Sequence, residues 1–309
     1  MSYKLGQLPS LLATQAEMAD YLEVSCLLSL EKSFSIVEAV EDNGFVEDED
    51  ALDSPEIDEY YGYADALLQI DERARFANGR YPFIGEEKSV SLDLSCPEYF
   101  RKIYTFLLFA TRWNMGSERI VNGKDGTLLF ERLSNAVLTQ YFGNHSKGMV
   151  FGTGIEADEK GFESKVKMML NLFAEKGYQF RTPDASRRRQ KDAKVDVIAF
   201  IPFNDNRKGQ FVAFGQCKTG TSWRDKLGQL CPSNFCKLFI QPPLSFTPVC
   251  VYMVSEACEN DWEELSVNSM GLLFDRTRIM QFLPPSLEDN LYRDISDWVE
   301  GVKEMIDSK

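Results

Sequence analysis

Apolar positions recur at helical spacing near both ends of the chain and at strand spacing between them. Residues 9–40 place Leu12, Met18, Leu22, Leu27 and Leu30 at helical intervals. The stretches 97–113 and 128–142 read as two strongly apolar helices, the second opened by the turn sequence "NGKDG". Residues 160–178 set Phe162, Val166, Met169, Leu170 and Phe173 on one helical face, which ends at Gly177. Leu287, Leu291, Ile295, Trp298, Val302 and Met305 predict an amphipathic helix that closes the chain. "SVSLDLS" (89–95) alternates like a short strand, and "PVCVYMV" (248–254) reads as a buried one. Residues 224–239 suggest a helix broken by Pro232, and 271–283 a further strand or short helix. The glycine-rich, polar stretch 143–154 separates a helix-dominated half from a mixed one. It divides the chain into a mainly helical domain, 1–150, and a mixed α/β domain, 151–309.

Within the second half, "VDVIAFIPFNDNRKGQFVAFGQCKTG" (195–220) is a hairpin whose turn, "NDNRKG", carries the residues a loop requires. Strand alternation puts Gln216 and Lys218 on one face and Cys217 on the other. Antiparallel pairing brings Asp196, near the start of the first strand, to the end of the second. A carboxylate, an amide and an ammonium thus meet on one rim of a sheet. Burial of such groups demands a salt bridge or a ligand. One reading is a structural ion pair between Asp196 and Lys218. The other is metal-assisted phosphodiester hydrolysis, with Asp196, the Gln216 amide oxygen and the Cys217 backbone carbonyl as hard ligands. Lys218 then orients water or stabilises charge at phosphorus. Glu163, in the first turn of the 160–178 helix, offers a second carboxylate.

Composition narrows the alternatives. The 309 residues are 44% hydrophobic and 27% charged, values that support a sizeable core. No run of about 18 apolar residues is present, and the first residues lack a basic segment followed by an apolar one. The expectation is a soluble cytoplasmic protein with no membrane partner. Seven scattered cysteines fit reduced thiols. "CPSNFC" is not a zinc-knuckle spacing. The single histidine, His145, excludes histidine-rich metal sites and would have to be the base of any Ser/His/Asp or Cys/His hydrolase, a thiol hydrolase on Cys217 included. Oxygen-ligated Mg²⁺ or Mn²⁺ remains.

Formal charge is −14, with 25 acidic against 13 basic residues in 1–150. The segment 41–59 alone holds ten acids and no base, which reads as a solvated loop. In 181–226 the sign reverses, eleven basic against five acidic residues. A basic island in an acidic chain marks where a phosphate-rich ligand would dock. Arg187, Arg188, Arg189, Lys194, Arg224, Lys226 and Gln229 are its candidate contacts. Asp184, which follows Pro183, sits among those arginines and reads as a surface ion pair.

The run "GFESKVKMMLNLFAEKGY…KVDVIAF…FVAFGQCKTG" resembles the PD-(D/E)xK nuclease superfamily, in particular its Mrr-like restriction endonuclease branch. That resemblance covers 160 to about 220 well, 221–283 loosely and 1–150 not at all. It implies a restriction-endonuclease-like mixed sheet flanked by helices, Mg²⁺ as the usual metal, and Glu163, Asp196, Gln216 and Lys218 at the active-site positions. Gln216 stands where a glutamate is more common, and "KDAK" precedes Asp196 where glycines are frequent. The implied activity is that of a Mg²⁺-dependent DNA endonuclease, the effector of a bacterial antiphage defence or restriction system. An ATPase or helicase partner, and a homo-oligomer, are further expectations. A non-catalytic scaffold subunit of the same fold is the alternative.

Overall fold

The computed structural model describes residues 4–10, 13–42, 55–152, 159–173, 177–182, 194–203, 205–258, 264–265 and 271–308. In chain order its elements are α1 (Gln15–Leu28), β1 (Ser33–Ser35), α2 (Ile36–Asp42), α3 (Pro55–Phe76), β2 (Phe83–Gly85), β3 (Ser89–Leu92) and α4 (Glu98–Arg112). A small ribbon, β4 (Ile120–Val121) and β5 (Lys124–Asp125), leads into α5 (Gly126–Phe142) and β6 (Lys147–Val150). Then come α6 (Glu159–Leu172), β7 (Gln179–Phe180), β8 (Val197–Ile201) and β9 (Phe211–Lys218). A 3₁₀ turn (Arg224–Lys226), α7 (Pro232–Phe239), β10 (Ile240–Gln241), β11 (Val249–Val254), β12 (Leu272–Phe274), α8 (Arg276–Gln281) and α9 (Asp289–Asp307) complete the chain.

The central sheet has five strands in the order β12-β11-β9-β8-β6. β6, β8 and β9 form an antiparallel meander, while β11 and β12 run parallel to β9. It is a mixed sheet in a mixed α/β fold. Alternation divides the strand side chains between two cores. Val197, Ala199, Ala213, Val251 and Met253 join the large core built by α1, α3, α4, α5, α8 and α9. Ile198, Phe200, Val212, Phe214 and Tyr252 join a smaller one with α6 and α7. The sheet is therefore covered on both faces, which accounts for the nearly unbroken apolar run of β8.

The apolar helices at 97–113 and 128–142, the closing amphipathic helix, the hairpin and the strand at 248–254 all form close to their expected bounds. Segment 271–283 contains both a strand and a short helix, divided by Asp275, whose carboxylate caps Arg278 N–H at 2.9 Å. Pro232 opens α7 rather than breaking a longer helix, since a first-turn proline gives up no intrahelical hydrogen bond. The helical stretch at 9–40 is interrupted by β1, which pairs with β3. Much of the acidic segment 41–59, its residues 43–54, lies outside the described residues.

A division at residue 150 would part β6 from β8, its partner in the sheet. The large core draws on residues from Leu5 to Val302, and α9 lies against α4 and α5. Ion pairs reinforce this continuity. Arg276 of α8 donates to Asp20 of α1 at 2.8 and 3.1 Å, and Asp20 and Glu23 also hold Arg73, with Arg112 on Asp20. No helix among the described residues is long and apolar enough to cross a membrane.

Candidate functional site

α5 begins at Gly126, capped by Asp125, whose carboxylate accepts Thr127 N–H at 2.9 Å. Phe130, Leu133, Val137 and Leu138 bury one side of the helix. Beside them Glu131, Ser134 and Asn135 form a polar stripe at i, i+3 and i+4. Each carries a buried oxygen with no hydrogen-bond partner among the described residues. Glycines give this stripe room. A Cβ on Gly148 would collide with the Asn135 side chain and Thr139, and one on Gly152 would lie 2.7 Å from Glu131 Cδ. The helix consequently lies directly on the β6 edge of the sheet, with the Glu131 carboxylate against Gly152.

Gly152 links that carboxylate to Asp196. Its N–H donates to the Asp196 backbone carbonyl at 2.9 Å, and Phe151 N–H does so at 2.7 Å. Asp196 N–H in turn donates to Gly215 carbonyl at 2.8 Å, and Asp196 Oδ2 accepts the Cys217 N–H at 2.7 Å. The aspartate side chain thus extends the hairpin ladder by one bond beyond the last strand pair. Lys165 of α6 reaches the same place, donating to the Gly152 carbonyl.

Glu131, Asp196, Cys217 and Lys218 line one cleft of about 490 Å³. Its walls are the end of α4, the first turns of α5 and the loop 219–222, with Lys4 and Lys226 also facing it. Burial raises the Glu131 carboxyl to about 8, reinforced by the neighbouring Asp196 charge, while Lys165 and Lys218 pull it back. A carboxyl held protonated near neutral pH by burial beside a second carboxylate is a candidate functional group. Burial also pushes the Cys217 thiol well above its usual range, with Asp196 and Glu131 adding to the effect. That thiol stays protonated, and His145 is exposed on the loop after α5. A thiolate nucleophile finds no support in either fact.

Of the hairpin trio Asp196, Gln216 and Lys218, the structure places two on the cleft. Asp196 and Lys218 face the cleft together. Gln216 does not: it is 0% exposed, and both polar atoms of its amide are buried without a partner among the described residues. Alternation sends it with Val212 and Phe214 toward the smaller core, whereas the cleft opens on the face of Cys217. The expected placement of the Cys217 side chain on the face away from the site is thereby reversed. Its backbone N–H holds Asp196 and its side chain packs beside α5. Glu163 also lies apart, half-exposed on α6 and paired with Lys167 at 2.6 Å one helical turn on. The carboxylate beside Asp196 in the cleft is Glu131, which the sequence reading passed over. The signal for it was the polar stripe "ExxSN" interrupting an otherwise apolar helix.

The basic candidates disperse. Lys226 lines the cleft, 3.3 Å from Ser222 Oγ. Arg224 is held by Glu256 and stacks on Trp223 at 4.7 Å. Lys194 and Gln229 are exposed outside the cleft lining. Asp184 and Arg187–Arg189 lie outside the described residues.

Among the described residues no three His, Cys, Asp or Glu side chains converge as a metal cluster. Mg²⁺ needs less than that, since it is commonly held by one or two carboxylates with water completing the shell. Glu131 and Asp196 on a polar cleft, with an unpartnered buried oxygen on Glu131, fit such an ion. No known protein family, curated protein or solved structure matches the chain.

Proposed function

We propose that the cleft hydrolyses phosphodiester bonds of DNA with a divalent cation, Mg²⁺ or Mn²⁺, in the manner of the PD-(D/E)xK nucleases that the β8–β9 hairpin resembles. The observation that carries this reading is the meeting of Glu131 and Asp196 beside Lys218 in one cleft. Both carboxylates would hold the cation, and a bound cation would supply a Lewis acid and a more acidic water. Asp196 is oriented for that role by the Cys217 N–H. Lys218 lines the cleft and supplies positive charge for a phosphoryl oxygen or an attacking water. Lys226 and Lys4 extend the positive lining for neighbouring phosphates.

An acidic chain repels nucleic acid at long range, so delivery of DNA by a partner such as an ATPase or helicase belongs to the same proposal. Service as the effector of an antiphage defence or restriction system rests on the resemblance. A second reading, a non-catalytic scaffold of this fold, is favoured by the burial of Gln216 and the displacement of Glu163.

Incubation of the full chain with plasmid and Mg²⁺ or Mn²⁺ separates the two. Cleavage lowered by about 100-fold or more by Asp196→Asn and by Lys218→Ala, with a measurable remainder, supports the nuclease. Cleavage indifferent to both substitutions, or none under either metal, favours the scaffold.

A further inference from the structure

The loop that follows Lys218 is fastened at both ends and in the middle. At its start, Ser255 N–H donates to the Lys218 carbonyl at 3.2 Å. In the middle, Gly220 N–H donates to the Ala110 carbonyl of α4 at 3.0 Å, from a left-handed conformation at φ 73° that favours glycine. At its end, Trp223 Nε1 donates to Glu256 Oε2 at 2.6 Å, and the same oxygen takes the Arg224 guanidinium. Ser255 and Glu256 are consecutive, directly after β11. One dipeptide therefore grips the loop before Thr219 and after Ser222.

Glu256 is only 5% exposed, and Trp223 only 1%. Arg224 closes the triangle by stacking over the Trp223 ring. A buried carboxylate with an indole N–H and a guanidinium on one oxygen is a rigid arrangement, because moving any member leaves a buried charge or donor unpaired. The dipeptide is itself anchored. Arg276 Nε donates to the Ser255 carbonyl at 3.0 Å, and Arg276 N–H donates to the Glu256 carbonyl at 3.0 Å. Nothing here touches the Glu131–Asp196 pair directly.

From this geometry we infer that Glu256 is a positioning residue for the cleft: it holds Trp223 and Arg224 so that the loop 219–222 keeps Lys218 aligned with Glu131 and Asp196. Arg224, a candidate phosphate contact in the sequence, is then part of the brace. The catalytic side of this inference rests on the phosphodiesterase reading, but the brace itself does not.

The test uses the full chain carrying Glu256→Gln, which keeps an acceptor for the indole but loses the charge, and Arg224→Gln as a second variant should the first fail to fold. Amide hydrogen exchange across 217–226 is expected to rise at least about tenfold in either variant while α4 and α5 keep wild-type protection. With Mg²⁺ and plasmid, kcat is expected to fall by about 10- to 100-fold at little-changed KM. Combined with Lys218→Ala, Glu256→Gln should add no further loss, because it acts through that lysine. Unchanged exchange in the loop, or losses that multiply in the double variant, would overturn the brace. A wild-type chain that cleaves nothing would instead overturn the phosphodiesterase reading, with the exchange result still deciding the brace.

Discussion

Asp20 and Arg276, 256 residues apart in the chain, form a two-pronged ion pair, both side chains almost wholly buried. Arg112 and Arg73 complete the shell around Asp20. Burial alone would raise the Asp20 carboxyl, yet Arg276, Arg112 and Arg73 together hold it far below the ordinary carboxylate range. Removing Arg276 leaves Asp20 and Glu23 buried with one positive charge fewer to balance them. Arg276→Met is expected to destabilise the chain by about 3–5 kcal/mol in denaturant unfolding.

The same pair sets an acid limit. A carboxyl whose folded pKa is depressed contributes stability that is complete above its unfolded value, about 3.9. That contribution is lost as pH falls toward the much lower folded value. Thermal unfolding of Asp20→Asn is therefore expected to be less sensitive to acidification below pH 4 than that of the wild type.

Glu131 behaves in the opposite sense. With its carboxyl raised to about 8, the folded state holds a proton that the unfolded chain releases near its ordinary value of 4.5. Stability should decline as pH rises from 4.5 through about 8 in metal-free buffer. Glu131→Gln removes that slope, so its melting temperature is expected to gain on the wild type between pH 5 and pH 9.

Gln216 offers a separate measurement. Its amide is sealed in the sheet, with neither atom hydrogen-bonded among the described residues. Gln216→Leu is expected to raise unfolding free energy by about 1–3 kcal/mol, the cost of a buried unpaired polar group. A loss of stability would mean that the amide has a partner in solution.

The two candidate carboxylates give a direct comparison. Asp196→Asn should lower cleavage by about 100-fold or more if that residue holds the cation. Glu163→Ala, which breaks only an exposed pair with Lys167, should leave cleavage intact and change stability by less than about 0.5 kcal/mol. Equal effects from both would sink the assignment of Glu131 in place of Glu163.

Helix periodicity and strand alternation made the helical ends, the hairpin and its register legible, because each depends on local spacing. Alternation also predicted that Gln216 and Cys217 part company. It did not reveal which face carries the site, because that depends on where α5 lies against the sheet. Glu131 is 65 residues before Asp196 and reaches it only through packing permitted by Gly148 and Gly152. The local pattern that drew attention to Glu163 held no such information. Likewise Arg224 reads as a surface cation until Glu256, 32 residues on, comes to meet it.

The order of synthesis follows from the Asp20–Arg276 pair and from α9. A ribosome that has made the first 150 residues has produced Glu131 but not Asp196, and Asp20 without its last arginine. Since α9 covers α4 and α5, the hydrophobic face behind the cleft is sealed only as residues 289–307 emerge. An interrupted translation product would hold unpaired buried charge and an open apolar face, and would be a substrate for proteolysis rather than a partial nuclease. Any phosphodiesterase activity would thereby require α9 to be in place over α4 and α5.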